Sequence, residues 1–362
     1  MGWQLRRFTL TKAVPLAISR GTTSSVQRLE LSLSRNGSTG RGETGGFETG
    51  HRGYSTASVA DELECLLSQL EPLDPLVPDS FESLLAPLSP PARCAVDLAL
   101  WDWRGQSIGQ PVWRLLGLDG RDGVATSVTL GLGSVPAVLE RLRRWWDQLP
   151  ASRVKLKLGS PDGLSHDREL LVAVAKAIDA RQERTGEAIE LQVDANGGWT
   201  LEQARLMLQD LETCHVVLLE QPLAPDPDPQ RDRQGFADLY SHCKIPLVAD
   251  ESCWDLEDLL RLAPVVDGMN LKLLKTGGLT HALLMAQVAR RLGVDLMVGC
   301  YSDSSLLNGA AAQLLSLIRW PDLDSHLNLV DDPFTQPPLS GDQLHASPEM
   351  GLGIRLKETE EI

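Results

Sequence analysis

No apolar run in this 362-residue chain approaches the roughly 20 residues needed to cross a bilayer. An excess of positive charge is missing too. Lysine and arginine number 34 against 49 aspartates and glutamates, a net charge of −15. That disfavours nucleic acid and membrane surfaces as partners, since both call for a basic footprint. It leaves small substrates open, because a site can be locally cationic on an acidic protein. The six cysteines (Cys65, Cys94, Cys214, Cys243, Cys253, Cys300) show no CxxC pair and no regular spacing. They read as buried thiols in a reducing cytoplasm, not as disulfides or a zinc site. The first 20 residues carry basic side chains without a continuous apolar segment behind them, so no signal peptide is expected. No internal repeat, low-complexity tract or long linker is present. What remains, 42% hydrophobic and 23% charged, is the composition of a soluble globular chain with room for one large domain and a smaller one.

Residues 1 to about 60 read as β-rich, with an alternating "RLELSLS" and a glycine-dense, turn-like "RNGSTGRGETGGFETGHRG". From about 56 to 118 apolar residues recur near every 3.6 positions, which predicts helices in an α+β unit. After residue 122 the rhythm changes. Apolar strand candidates begin near 126, 153, 189, 216, 245, 268, 295 and 322, each followed by a helical stretch except the last. Strands alternating with helices predict a parallel sheet, and eight such units favour a closed barrel of the (β/α)8 type. An open doubly wound sheet would need a phosphate-binding glycine fingerprint after its first strand, and "TLGLGSVPA" matches that poorly. The turn-rich segment from about 326 is expected to pack back against the N-terminal unit, and the acidic "KETEEI" end to be a solvated tail.

The ends of these strands carry the chemistry. Asp194, Glu220 and Asp250 each close an apolar run on the third, fourth and fifth strands. One carboxylate there is often only a helix cap. Three on successive strands converge on one mouth of a barrel, where they would repel one another without a cation. Oxygen-only ligation suits Mg2+, or Mn2+. Lys155 and Lys157 share one face of the second strand, and Lys272 ends the sixth, so lysines flank the acids on both sides. Alone, "KLK" reads as a wet strand face. Beside a cation, a lysine's proton affinity falls and it becomes a general base. Lys275, three residues further on in a glycine-rich turn, reads as solvated.

The ordered set "KLKL", "VDANGGW", "LEQPL", "VADES" and "NLKLLKTGG" resembles the enolase superfamily, within its muconate-cycloisomerase-like subgroup. "GRGETGG" and "AVDLALWDWRGQSIGQPVWRLLG" are similar to that family's capping-domain signatures. The resemblance implies a (β/α)7β TIM-like barrel over residues 122–325. A capping α+β domain would cover 1–121, joined by about 326–362. It implies an Mg2+ site at Asp194, Glu220 and Asp250, with Lys157 and Lys272 exchanging a proton on opposite faces of a carbon acid through an enediolate. Lys155 would stay cationic against the substrate carboxylate, and Asn196 would support the metal ligands. No histidine follows the seventh strand in "MVGCYSDSS", which leaves the two-lysine branch.

"WPDLDSHLNL" adds Asp322 and Asp324, a D-x-D read as two carboxylates facing the mouth from the eighth strand. This resembles the dipeptide epimerases, where such a pair holds the substrate's α-ammonium; a turn or helix cap is the plainer reading. Ser325 stands where relatives usually carry glycine, and Asp303 where they carry glutamate. Arg20, in "ISRGTT", is positioned to meet an acidic second residue of the substrate, or is a simple exposed loop arginine. The resemblance therefore implies a dipeptide-acting isomerase, expected in the cytoplasm and open to homo-oligomer formation. An o-succinylbenzoate synthase or cycloisomerase on the same scaffold is the alternative, and a non-catalytic barrel protein a remote one.

Overall fold

The computed structural model describes residues 2–120 and 122–358. Residues 1, 121 and 359–362, at the ends of the expected ranges and in the acidic tail, lie outside it. Alternating residues in the first segment form an antiparallel sheet of β1 (Gly2–Ile18), β2 (Gly21–Arg35) and β3 (Ser38–Thr44). Leu29, Leu31 and Leu33 on β2 are fully buried against α1 (Thr56–Leu70) and α2 (Pro90–Ile108). Ser55 caps α1 by accepting from Ser58 N. Ser89 caps α2 ahead of proline in its first turn, and Gly109 closes it at φ +70°.

Much of the glycine-rich stretch expected as turns is strand β3. Its glycines serve packing. A Cβ on Gly40 would lie 2.1 Å from Ala99 O, and one on Gly42 2.1 Å from Ala95 O. Helix α2 therefore rests directly on the strand backbone.

Eight parallel strands follow: β4 (Val128–Leu130), β5 (Arg153–Lys157), β6 (Glu190–Asp194), β7 (Val216–Glu220), β8 (Leu247–Ala249), β9 (Gly268–Leu271), β10 (Asp295–Gly299) and β11 (Trp320–Asp322). They neighbour one another in chain order, with a helix after each strand but the last. Ser127 N donates to Pro321 O at 3.0 Å, bringing the first and last strands together and nearly closing the barrel. Leu218, Val248, Met297 and Trp320 fill its interior. The last strand is shorter and earlier than expected, ending at Asp322.

The cap is bolted to the barrel by polar contacts. Trp101 Nε1 donates to Thr280 Oγ1 at 2.9 Å. Buried Arg28 on β2 meets Asp303, after β10, at 2.6 Å. The C-terminal segment touches both units. Phe334 packs edge-on against Phe8, and Leu352 N donates to Asp102 at 2.8 Å. Gln343–Leu344, however, pairs with Val124–Ala125 at the foot of the barrel. None of the described helices is long and apolar enough to cross a membrane. All six cysteines are free; Cys94 and Cys253 are buried, but Cys65 is exposed, contrary to the expectation of buried thiols throughout.

His326 is buried with Nδ1 3.0 Å from Asn308 Nδ2. Burial pushes its imidazole down to about 4 from the ordinary 6.5. The unfolded chain therefore takes up this proton first. The stability that His326 contributes is complete above pH 6.5 and is lost as the pH falls toward 4, about 3 kcal/mol in all. In His326→Gln, denaturant unfolding at pH 7 and pH 4.5 should differ by less than in the unaltered chain; an unchanged difference refutes this assignment.

Candidate active site

Each apolar strand carries its polar residue to the same end. In the parallel register Lys157 lies beside Asp194, and Asp194 beside Glu220. Asp250 follows the end of β8. The carboxylates of Asp194, Glu220 and Asp250 are all buried, with ligand oxygens within 4.8 Å of one another. Three carboxylate oxygens on rigid strands, with no nitrogen or sulfur donor, form a set that fits a hard divalent cation.

Lysines answer these charges. Lys155 Nζ lies 2.5 Å from Glu220, 2.6 Å from Asp322 and 3.5 Å from Asp194. Burial works against its charge, but those three acids outweigh it and hold the ammonium well above its usual range. Lys157 Nζ is 2.5 Å from Asp194, and Lys272 Nζ 2.7 Å from Asp250. For Lys272, too, burial is overcome, chiefly by Asp250, and its proton affinity is raised. A divalent cation held by Asp250 would compete for that carboxylate and lower the lysine's proton affinity. Burial and Asp194 push Glu220 up to about 8 despite Lys155. Asp250 is held low, because Lys272 and Lys275 outweigh its burial.

Lys275 is not solvated. It is fully enclosed, its Nζ 2.6 Å from both Asp250 Oδ1 and Asp250 O and 3.0 Å from Asn270 O. Asn270 was also missed. Two residues before Lys272 on β9, it shares that residue's face, and its Nδ2 donates to Glu220 at 2.7 Å. The i−2 position was the available signal. Gln221 ties two strand ends together, its Oε1 accepting from Asp250 N at 2.9 Å and Ser252 N at 3.2 Å.

Asn196 meets Asp194 twice: its backbone N donates to Oδ1 at 2.7 Å and its Nδ2 to Oδ2 at 3.1 Å. Arg20 sits at the tip of the β1–β2 hairpin and reaches into the mouth. There it donates to Glu251 at 2.9 Å and Asn196 O at 2.9 Å, so its charge is already paired. The two acids of D-x-D do not share one strand face. Asp322 ends β11 and takes Lys155 and Ser127. Asp324 lies beyond the strand in a helical conformation and accepts from Thr129 N at 2.7 Å. The strand stops two residues short of Asp324, too early for period-two alternation to align them.

Lys157, Lys272, Asn196 and Arg20 line one cavity of about 360 Å3 beneath the hairpin. Leu16, Ile18, Val26, Phe47 and Tyr301 supply its apolar wall. Phe47 stacks on Tyr301 at 4.4 Å, and Lys272 Nζ lies 4.5 Å from the centre of the Tyr301 ring.

Residues 137–360 match the enolase C-terminal domain-like family, and residues 4–117 the mandelate racemase / muconate lactonizing enzyme N-terminal domain. The chain belongs to the enolase superfamily. Within it, a hydrophobic dipeptide epimerase from Roseobacter litoralis is 38% identical over 91% of each chain. Another hydrophobic dipeptide epimerase, from Flavobacteria bacterium, is 34% identical over 99% of each. Among solved structures, the superfamily's dipeptide epimerase from Enterococcus faecalis, complexed with Mg and L-Leu-L-Tyr, superposes with a TM-score of 0.85 at 28% identity, covering 98% of both chains.

Proposed function

We propose that this enolase-superfamily chain is a dipeptide epimerase that inverts the α-carbon of a dipeptide's C-terminal residue by two-base proton transfer, with a preference for apolar side chains. One observation carries the reading. Lys157 and Lys272 come from strands on either side of the acid triad, and both open on the same cavity. The similarity to hydrophobic dipeptide epimerases supports the substrate class, as does the wall of Leu16, Ile18, Val26, Phe47 and Tyr301.

Asp194, Glu220 and Asp250 would hold Mg2+, or Mn2+, which share a preference for such oxygen donors. When bound, that cation supplies Lewis-acid stabilisation of the negative charge that develops on the substrate carboxylate as the α-proton leaves. Lys155, fixed in its cationic form, faces the same carboxylate. Lys157 or Lys272 takes the proton from one face, and the other returns a proton to the opposite face. Asp322 and Asp324 receive the α-ammonium from different directions, not as a parallel pair. Arg20 latches the hairpin tip to Glu251 and Asn196, which keeps water out of the cavity. Residues 1–121 with about 326–362 act as the cap, and 122–325 as the catalytic barrel. The acidic surface and free thiols support a cytoplasmic protein, either alone or as a homo-oligomer, acting without nucleic acid or membrane.

Incubation in D2O tests the reading. L-Leu-L-Tyr should gain one deuterium at the C-terminal α-carbon and yield its epimer, both visible by NMR and mass spectrometry. Inert dipeptides alongside turnover of a dicarboxylate would instead favour the cycloisomerase or o-succinylbenzoate synthase alternative.

A further inference from the structure

One of the cavity's cationic side chains forms no ion pair or hydrogen bond with the described residues. Five cationic side chains line the cavity: Lys12, Arg20, Arg28, Lys157 and Lys272. Four are paired, with Glu251, Asp303, Asp194 and Asp250 respectively. Lys12 is not. It is only 8% exposed, and its Nζ makes no hydrogen bond or ion pair with any described residue. Burial lowers its proton affinity, and Cys300 and Asp324 counter that only in part.

The backbone leaves Lys12 little freedom to escape. Residues 12–15 depart from the β1–β2 ladder, whose register shifts between Thr11 and Leu16. The segment is instead pinned to the chain after Asp324: Val330 N donates to Thr11 O at 3.0 Å, and Asn328 exchanges two hydrogen bonds with the Val14 backbone. Lys12 is thereby set between the 360 Å3 cavity and an adjoining one of about 50 Å3 that also contains Asp324 and Arg141. Tyr301 lines both cavities as well, and its Oη is buried without a partner. Two donor groups, the Lys12 ammonium and the buried Tyr301 hydroxyl, thus meet the same pair of cavities with no acceptor among the described residues. Isolated buried donors are expensive, and an ammonium most of all, unless a ligand completes them.

We propose that Lys12, assisted by Tyr301, binds an oxygen acceptor of the substrate near the epimerised carbon. The acceptor is the acyl carbonyl present in every dipeptide, or a side-chain carboxylate. The inference rests on the epimerase reading. In a dipeptide the α-ammonium and the acyl carbonyl are separated by one carbon, so an acid and an ammonium close together, as Asp324 and Lys12 are, match that pair of groups.

Lys12→Met and Lys12→Arg, assayed with L-Leu-L-Tyr and L-Ala-L-Glu, test it together with the melting temperature of the protein without substrate. Lys12→Met should lower kcat/KM roughly 10- to 100-fold, mainly through KM, as expected for losing a charged hydrogen bond. It should also raise the melting temperature, because an unpaired buried charge has gone. Lys12→Arg should retain more activity than Lys12→Met. Equal losses on both dipeptides identify the carbonyl, and a loss concentrated on L-Ala-L-Glu identifies the carboxylate; either supports the proposal. Kinetics within about twofold of the unaltered enzyme on both dipeptides overturn it. So does a loss accompanied by a lower melting temperature, which makes Lys12 structural. An unaltered enzyme inert to both dipeptides overturns the epimerase reading itself, and this proposal with it.

Discussion

Lys157→Ala and Lys272→Ala should each reduce epimerisation by roughly 10²- to 10⁴-fold or more, the range for removing a general acid or base. The expectation follows from where the two ammonium groups sit. They project from β5 and from the end of β9, on either side of the acid-bearing strands, and face one cavity. Inversion needs a proton removed on one side and delivered on the other, so neither lysine can substitute for its counterpart. The two variants should differ in what they keep. With one base left, α-proton exchange in D2O continues for the substrate isomer whose proton faces that base and stops for the other, without inversion. The variants should show opposite preferences. A structural explanation of the loss predicts no such mirror pattern, since damage to the fold would depress exchange of both isomers together. Full activity in either variant refutes the two-base scheme.

Metal removal should be as severe. Chelation should lower kcat/KM at least roughly a thousandfold, the several kcal/mol a Lewis acid supplies to developing charge, and Mg2+ should restore it. The protein should stay folded throughout. Without a cation, Glu220 still meets Lys155, Asp194 meets Lys155 and Lys157, and Asp250 meets Lys272 and Lys275, so no member of the triad is left as a bare buried charge. Circular dichroism should therefore hardly change, while Mg2+ should raise the melting temperature saturably, by mass action on the folded state. Glu220→Gln should shift the Mg2+ midpoint more than roughly a hundredfold, beyond what losing an outer-shell partner does. Turnover undiminished by chelator would remove the metal from the account.

How much of this could be read from residues alone depended on the kind of signal. Asp194, Glu220 and Asp250 were legible because each ends an apolar run, and the β-strand period then points them to one mouth. Lys155 and Lys157 were legible as a pair for the same reason. Lys275 was not. Its "KTGG" context looks like a surface turn, and the oxygens that enclose it come partly from the backbones of Asp250 and Asn270, which leave no mark in side-chain pattern. Asp324 was misplaced because period-two reasoning holds only while the strand lasts, and β11 stops at Asp322. Gly40 and Gly42 were taken for turn residues, although a helix lying on a strand demands the same missing Cβ as a tight turn does. Lys12 gave no signal at all. A lysine beside a bulge is ordinary in sequence, and its lack of a partner exists only once the cap and barrel have met.

The most direct test of the central claim is a crystal structure of the protein with Mg2+ and L-Leu-L-Tyr bound. The account predicts the Nζ atoms of Lys157 and Lys272 on opposite faces of the tyrosine α-carbon, each within hydrogen-bonding reach of it. Both amines on one face, or either one too distant to reach that carbon, would contradict it.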